Sequence, residues 1–191
     1  KVGEEELECD LVIDAEGANP ILAERAGVID PIKPENLAVG VKYVIRLPEK
    51  VINERFNTES DKGVALLGMG EANKGVFGGL FMYTNKDTIS IGLVQGSKEW
   101  KESGYHLPDA IEDLKQHPTI GRYLKGGEVV EYTAHLVPEA GIEGFSNFCD
   151  DGILVVGDAA GLCINRGFTI RGMDYAILSG IAAAETAEKA L

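Results

Sequence analysis

Two short apolar runs stand near opposite ends of the 191-residue sequence, and each leads through an acidic residue and a glycine turn toward a helix. The first spans residues 6–13, ends in the triplet Leu11, Val12 and Ile13, and breaks at Asp14-Ala15-Glu16-Gly17-Ala18-Asn19-Pro20. Asn19 and Pro20 read as the N-cap and first position of a helix that reaches Ala26 and is closed by Gly27. The second run, over 152–158, is compact enough to be a buried strand and ends at Gly157-Asp158. A final helix places Met173, Ala176, Ile177, Gly180, Ala184 and Ala187 on one stripe, a narrow face suited to close packing on a sheet. Such units at the two ends imply one α/β domain assembled from distant pieces of chain.

The sequence between them has a different period. Leu37, Val39, Val41 and Tyr43 alternate with Ala38, Gly40 and Lys42, as a half-buried strand over 36–47 requires. Pro48 opens a short helix to Phe56, and 63–70 and 75–83 read as two further strands. The second of these passes through Thr84-Asn85-Lys86-Asp87 into 88–95, where Ile89, Ile91 and Leu93 alternate with Thr88, Ser90 and Gly92, a β-hairpin. Ala110, Ile111 and Leu114 have helical spacing within 108–117, a second short helix covers 118–124, and 128–137 is a strand. The expected class is α/β (α+β): residues 1–28 and 151–191 form the α/β domain, and 29–150 form an inserted domain built on an antiparallel sheet. Linkers fall at 30–34 and 139–151.

Charge and cysteine usage exclude several functions. Eighteen Lys plus Arg stand against 31 Asp plus Glu, a net charge of −13, so the basic footprint that neutralises nucleic-acid phosphates is missing. No apolar run approaches the roughly 18 residues of a membrane helix, which leaves peripheral contact as the mode open to the chain. Cys9, Cys149 and Cys163 are far apart and belong to no metal-ligand cluster, and their sparse, odd count points to a reducing, cytoplasmic setting. No Ser/His/Asp order or paired-carboxylate spacing stands out, so no side chain is assigned a catalytic role and no metal is expected. The polar first residues lack the apolar core of a signal peptide, and the chain opens inside a strand-turn pattern, as a piece of a longer protein would.

Chemistry concentrates in residues 157–174. A buried strand delivers Asp158 at its carboxyl end, and Gly161, Gly167 and Gly172 let a ligand approach the backbone before the last helix begins. That helix start suits an anion, and a carboxylate at a strand tip suits sugar-like hydroxyls. The plainer reading makes Asp158 the cap of a strand-loop-helix turn.

Asp10 to Asn19 resembles the internal segment, and Gly157-Asp158-Ala159-Ala160-Gly161 the later "GD" segment, of FAD-dependent oxidoreductases of the flavoprotein monooxygenase type. Ala38-Val39-Gly40-Val41-Lys42, Tyr83-Thr84-Asn85-Lys86-Asp87-Thr88, Lys115-Gln116-His117-Pro118 and the stretch 157–179 more closely resemble the FixC family, relatives of electron-transfer-flavoprotein:quinone oxidoreductase. The resemblance implies a partial Rossmann-like FAD-binding domain carrying an inserted substrate domain. The strand-GxGxxG-helix unit of that family is missing, since Gly68-Met69-Gly70-Glu71-Ala72-Asn73 has Asn at the third glycine position. By the same resemblance Asp158 hydrogen-bonds the ribityl chain of FAD and Gly157 permits the turn. Gly172 and Met173 form the loop-to-helix junction facing the flavin pyrimidine, where fixed donors favour the reduced cofactor. Arg171 either strengthens that field or braces the loop. Asp14 and Gly17 lie on the flavin side or, for Asp14, hold the turn.

Gly78 and Gly79 either make a flat floor beside the flavin ring or mark a bulge. His135 and Glu139 either adjoin the substrate face or pack within the strand region. Cys163 either adjoins the flavin or is buried packing. The implied activity passes electrons from an electron-transfer flavoprotein or similar donor through FAD to quinone or a ferredoxin-like protein, in the cytoplasm at the inner membrane face. The alternatives are a geranylgeranyl-reductase-like flavoprotein and a non-catalytic partner-binding module.

Overall fold

The computed structural model describes residues 6–166 and 169–191. In chain order it contains β1 (Val12–Asp14), α1 (Ile21–Arg25), β2 (Leu37–Arg46), α2 (Glu49–Phe56), β3 (Ala65–Gly68), β4 (Gly78–Thr84), β5 (Thr88–Gly96) and α3 (Ser97–Ser103). There follow α4 (Leu107–Gln116), α5 (Pro118–Leu124), β6 (Glu128–Pro138), β7 (Cys149–Asp150), β8 (Ile153–Val155), β9 (Ile164–Asn165), β10 (Ile170–Arg171) and α6 (Met173–Ala190). Contacts divide the chain into two units, one made of the segment ending at Asn36 with Val137–Leu191, the other of Leu37–Leu136.

The first unit joins the two ends of the sequence. β1 and β8 pair in parallel, Val12 opposite Ile153 and Asp14 opposite Val155, and β7 adds an antiparallel strand in the order β1-β8-β7. Ala23, Val28, Ile29, Ile153, Val155, Ala159 and Ala160 form its core. Asn19 does not cap α1, which begins one residue later than the sequence suggests. Its free amides are taken by acids from the preceding turn: Leu22 N–H donates to Glu16 Oε2 (2.6 Å) and Ala23 N–H to Asp14 Oδ2 (2.9 Å). Beyond β8 the strand expected through 158 stops at Val155, because Gly157 has φ +61° and opens a 3-10 turn over Gly157–Ala160.

Helix α6 is rotated from the expected stripe. It is pinned by Ser179, whose Oγ accepts from Gly157 N–H (3.0 Å) and donates to the Ala176 carbonyl (3.1 Å). Ala183 is therefore buried, while Met173 is 85% and Ile177 64% exposed beside exposed Leu178 and Ile181. The expected stripe split because small residues occupy several faces of this helix, and a tertiary hydrogen bond selected among them.

The second unit is a five-stranded antiparallel sheet in the order β3-β4-β5-β2-β6. Its registers set Leu80, Leu93 and Val41 in one row and Met82, Ile91 and Tyr43 in the next. These rows pack with Ile52 and Phe56 of α2, with Leu107, Ala110, Ile111 and Leu114 of α4, and with Leu124 of α5. The four α4 residues follow the i, i+3, i+4, i+7 spacing of a helix with one buried face. Alternate rows, Phe81-Gly92-Lys42 and Gly79-Val94-Gly40, occupy the opposite face. Helix α3 was not legible in the sequence, since its polar run around Trp100 has no apolar period. It ends at Gly104, φ +65°. β3 and β4 are shorter than read because Gly70 (φ +105°) and Gly75 (φ +81°) turn the chain between them.

Among the described residues no helix is long and apolar enough to cross a membrane. Ile91 is fully buried at the centre of the sheet, so Ile91→Ala is expected to lower unfolding free energy by about 2–5 kcal/mol. Exposed Leu67→Ala should change it by about 0.5 kcal/mol or less. Urea denaturation of both variants checks the contrast.

Candidate functional site

Five of the seven residues singled out in the sequence line one cleft of the first unit, about 470 Å³ in volume: Gly17, Gly157, Asp158, Gly172 and Met173. Ala15, Val137, Val156, Cys163, Ile170 and Ala176 complete its wall. Gly157 supplies the left-handed turn that carries Asp158 out of the strand direction, and a Cβ there would sit 3.4 Å from that of Ala176. Gly17 has φ +76° with open space around it, so its need for glycine is conformational. Gly172 and Met173 bring the start of α6 to the cleft, while the amides of Asp174 and Tyr175 donate to the Asp174 carboxylate.

Asp158 is half-buried, and loss of water raises its carboxyl pKa above the ordinary value. Among the described residues burial alone causes that shift, and no hydrogen bond to the carboxylate contributes. Beside it Cys163 is buried, and its thiol is pushed up to about 12, first by burial and then by the Asp158 and Glu139 charges. It is a thiol, not a thiolate, at neutral pH, in keeping with packing.

The other two residues face elsewhere. Asp14 is 2% exposed and uses both oxygens on backbone amides, Oδ1 accepting from Glu16 (2.9 Å) and Oδ2 from Ala23. Its carboxylate holds the turn, the plainer of its two readings. Arg171 pairs with Asp174 and lies over the Tyr175 ring at 5.3 Å, outside the cleft wall. That pairing holds the Asp174 carboxyl below its ordinary range, chiefly through the hydrogen bond from Arg171. Gly161 also serves the fold: a Cβ there would meet the Gly144 carbonyl at 2.0 Å. Gly167 lies outside the described residues. Ser179, which fixes Gly157 against α6, went unnoticed in the sequence because a lone serine in a small-residue helix carries no signal of its partner.

In the second unit Gly78 and Gly79 pair in regular register with Gln95 and Val94, so they form no bulge. A Cβ on Gly78 would fall 1.9 Å from the Val94 carbonyl, and one on Gly92 would strike the Phe81 ring at 2.2 Å. Phe81 thus lies across Gly92 and stacks with Tyr83, ring centroids 6.0 Å apart. In the adjoining row Gly79 and Gly40 flank Val94 without side chains of their own. His135 is exposed on β6. No group of three His, Cys, Asp or Glu able to hold a metal occurs among the described residues.

Solved structures share this fold. A geranylgeranyl bacteriochlorophyll reductase-like protein (Ta0516) from Thermoplasma acidophilum superposes with a TM-score of 0.71 at 19% identity, over 96% of this chain and 42% of that one. Two structures of the flavin-dependent brominase Bmp2, one of them a triple mutant, give 0.52 and 0.53 at 18% identity, over 80%–82% of this chain and 36%–38% of that one. The fold is therefore a mixed α/β fold of the kind these proteins have. Residues 37–137 match the family described as ETF-QO, ubiquinone-binding, and the chain belongs to that family.

Its curated relatives include protein FixC of Escherichia coli O157:H7, 48% identical over 97% of this chain and 43% of that protein. Another is the probable electron transfer flavoprotein-quinone oxidoreductase YdiS of Escherichia coli K12, 45% identical over the same shares. The chain spans less than half the length of these relatives.

Because burial raises the Asp158 pKa, the fold favours its protonated form. Stability withheld by the ionised group at pH 7 returns as pH falls through the raised pKa toward the ordinary carboxylate value. Asp158→Asn should accordingly stabilise the ligand-free chain at pH 7, with the gain vanishing at low pH. Thermal melts of the two forms across pH 3–8 measure it (~3–8 brackets the carboxylate range).

Proposed function

We propose that the chain is the part of a longer FAD-dependent, quinone-linked oxidoreductase that contributes one side of the flavin site and carries a quinone-facing sheet. The observation that carries the reading is the Asp158 carboxylate at the cleft wall, half-buried and with no hydrogen bond to it contributing among the described residues. A carboxylate withdrawn from water in this way has acceptor capacity that hydroxyl donors of a bound group would satisfy.

These residues fit FAD. Asp158 would accept from the ribityl hydroxyls, and Gly17 would leave the turn open to the cofactor. The amides at Gly172 and Met173 would meet the electron-rich pyrimidine edge without reorganisation. FAD supplies the two-electron chemistry, and the polypeptide supplies position and field. Asp14 and Arg171 act at one remove, the first by holding the Gly17 turn and the second by anchoring Asp174 beside the helix start.

The quinone side rests on family membership over 37–137 and on the sheet face where the Phe81 ring reaches over Gly92 beside Gly79 and Gly40. A partly aromatic surface open at its glycines suits a planar ring. The name of YdiS supports an electron-transfer flavoprotein as donor and quinone as acceptor. A similar donor, a ferredoxin-like acceptor and a cytoplasmic location at the inner membrane face come with the FixC resemblance.

The purified full-length protein is expected to show the flavin absorbance band near 450 nm (about where flavins absorb, the cofactor assignment resting on) and to reduce a short-tailed quinone. Asp158→Ala should weaken FAD binding about 10- to 100-fold, the equivalent of the ~1.5–3 kcal/mol of a hydrogen bond to a charged group. A full-length protein that takes up no flavin on reconstitution, or an Asp158→Ala protein that binds it as wild type does, contradicts the reading.

A further inference from the structure

Two fully buried amide side chains lie on the helix-facing side of the sheet in the second unit, the side that carries its hydrophobic core. Gln95 is 0% exposed and Asn73 1%. Gln95 Nε2 donates to the Asn73 carbonyl and Asn73 Nδ2 donates to the Val94 carbonyl, each at 3.3 Å. The Asn73 amide nitrogen lies where a Cβ on Gly78 would come within 2.6 Å, so it occupies the space a side chain at 78 would need. The segment so held is unusual backbone, with Gly70, Lys74 and Gly75 at positive φ and Gly78 at +153°. Lys74 in particular has a Cβ that disfavours its φ of +50°, and conformations of this kind persist only where their surroundings over-determine them. Within the segment Val76 N–H donates to the Asn73 carbonyl (2.9 Å), and Gly96 N–H of β5 donates to the Phe77 carbonyl (3.0 Å), closing it onto the sheet.

The clasp is not an arrangement chosen for stability. Among the described residues Asn73 Oδ1 and Gln95 Oε1 are both buried without a hydrogen-bond partner, which is costlier than an apolar side chain of the same size. Its geometric effect is specific, since it sets how the chain enters β4 and hence where Gly79 lies on the opposite face. We infer that Asn73 and Gln95 are positioning residues, an amide clasp on one face of the sheet that fixes the backbone over 75–79 and so the height of Gly79 in the planar-ring surface on the other. The functional half of this inference rests on the quinone-facing reading given above.

The test compares the full-length protein with its Gln95→Met variant, which keeps volume and removes the donor. Amide hydrogen exchange at Val76 and Gly96 should quicken at least tenfold (~1.4 kcal/mol per decade), with Ile91 unchanged. KM for a short-tailed quinone should rise about tenfold with kcat unchanged, on the same scale. The thermal midpoint should hold or rise. Ile52→Val, which weakens the core away from the clasp, should leave KM alone.

Exchange at Val76 and Gly96 within twofold of wild type (roughly the factor below which no free-energy change is meaningful) overturns the clasp. An equal KM rise in Ile52→Val overturns its positioning role. If the wild-type protein binds no quinone, the quinone reading fails while the exchange data still decide the clasp. Should Gln95→Met not fold, Asn73→Ser removes the other donor and is read the same way.

Discussion

With φ at +61°, Gly157 turns the chain out of β8 and sets Asp158 at the wall of the cleft instead of continuing the strand. A Cβ-bearing residue disfavours that conformation. Its amide is engaged by Ser179, so the same turn fixes the rotation of α6, and with it the placement of Gly172 and Met173 at the helix start. Across the parallel pair, Asp14 does comparable work for β1, binding the amides of Glu16 and Ala23 and holding the Gly17 turn open. The two strand ends that meet in the β1-β8 ladder thus use their acids differently. One acid is satisfied by backbone and shapes the site, while the other, to which no hydrogen bond contributes among the described residues, lines it.

The second unit separates its functions by sheet face. One face carries Ile89, Ile91, Leu93, Met82 and the helices, and the bulk of its stabilisation comes from burying that surface. The opposite face carries glycines at points where larger side chains would fill the surface, and the Phe81 ring reaches over Gly92 because Gly92 has no side chain. A strand with period-two alternation permits this division, one side packing the core while the other stays open. The buried amides at Asn73 and Gln95 are the exception, polar groups within the apolar face whose bonds run to backbone at the start of β4.

Much of this was legible from local pattern. The helical spacing of Ala110, Ile111 and Leu114, the proline starts of α2 and α5, and the β4-β5 hairpin all follow from signals a few residues wide, and the structure has them where the spacing puts them. Five of the seven site residues share one cleft because each marks a turn or a helix start, features that short motifs encode. Long-range partners were not legible. The capping of α1 by Asp14 and Glu16, the hold of Ser179 on Gly157 and the pairing of Arg171 with Asp174 each depend on a fold-level approach or on a rotamer choice that composition does not record. Helix α3 escaped for a different reason, having too few apolar residues to show a period.

The most direct test of the account is the crystal structure of the full-length protein with FAD bound. The account predicts an Asp158 carboxylate oxygen within about 2.5–3.0 Å of a ribityl hydroxyl, with the amide groups at Gly172 and Met173 turned to the flavin ring. An FAD whose ribityl chain runs elsewhere, leaving Asp158 in contact with solvent alone, would contradict it.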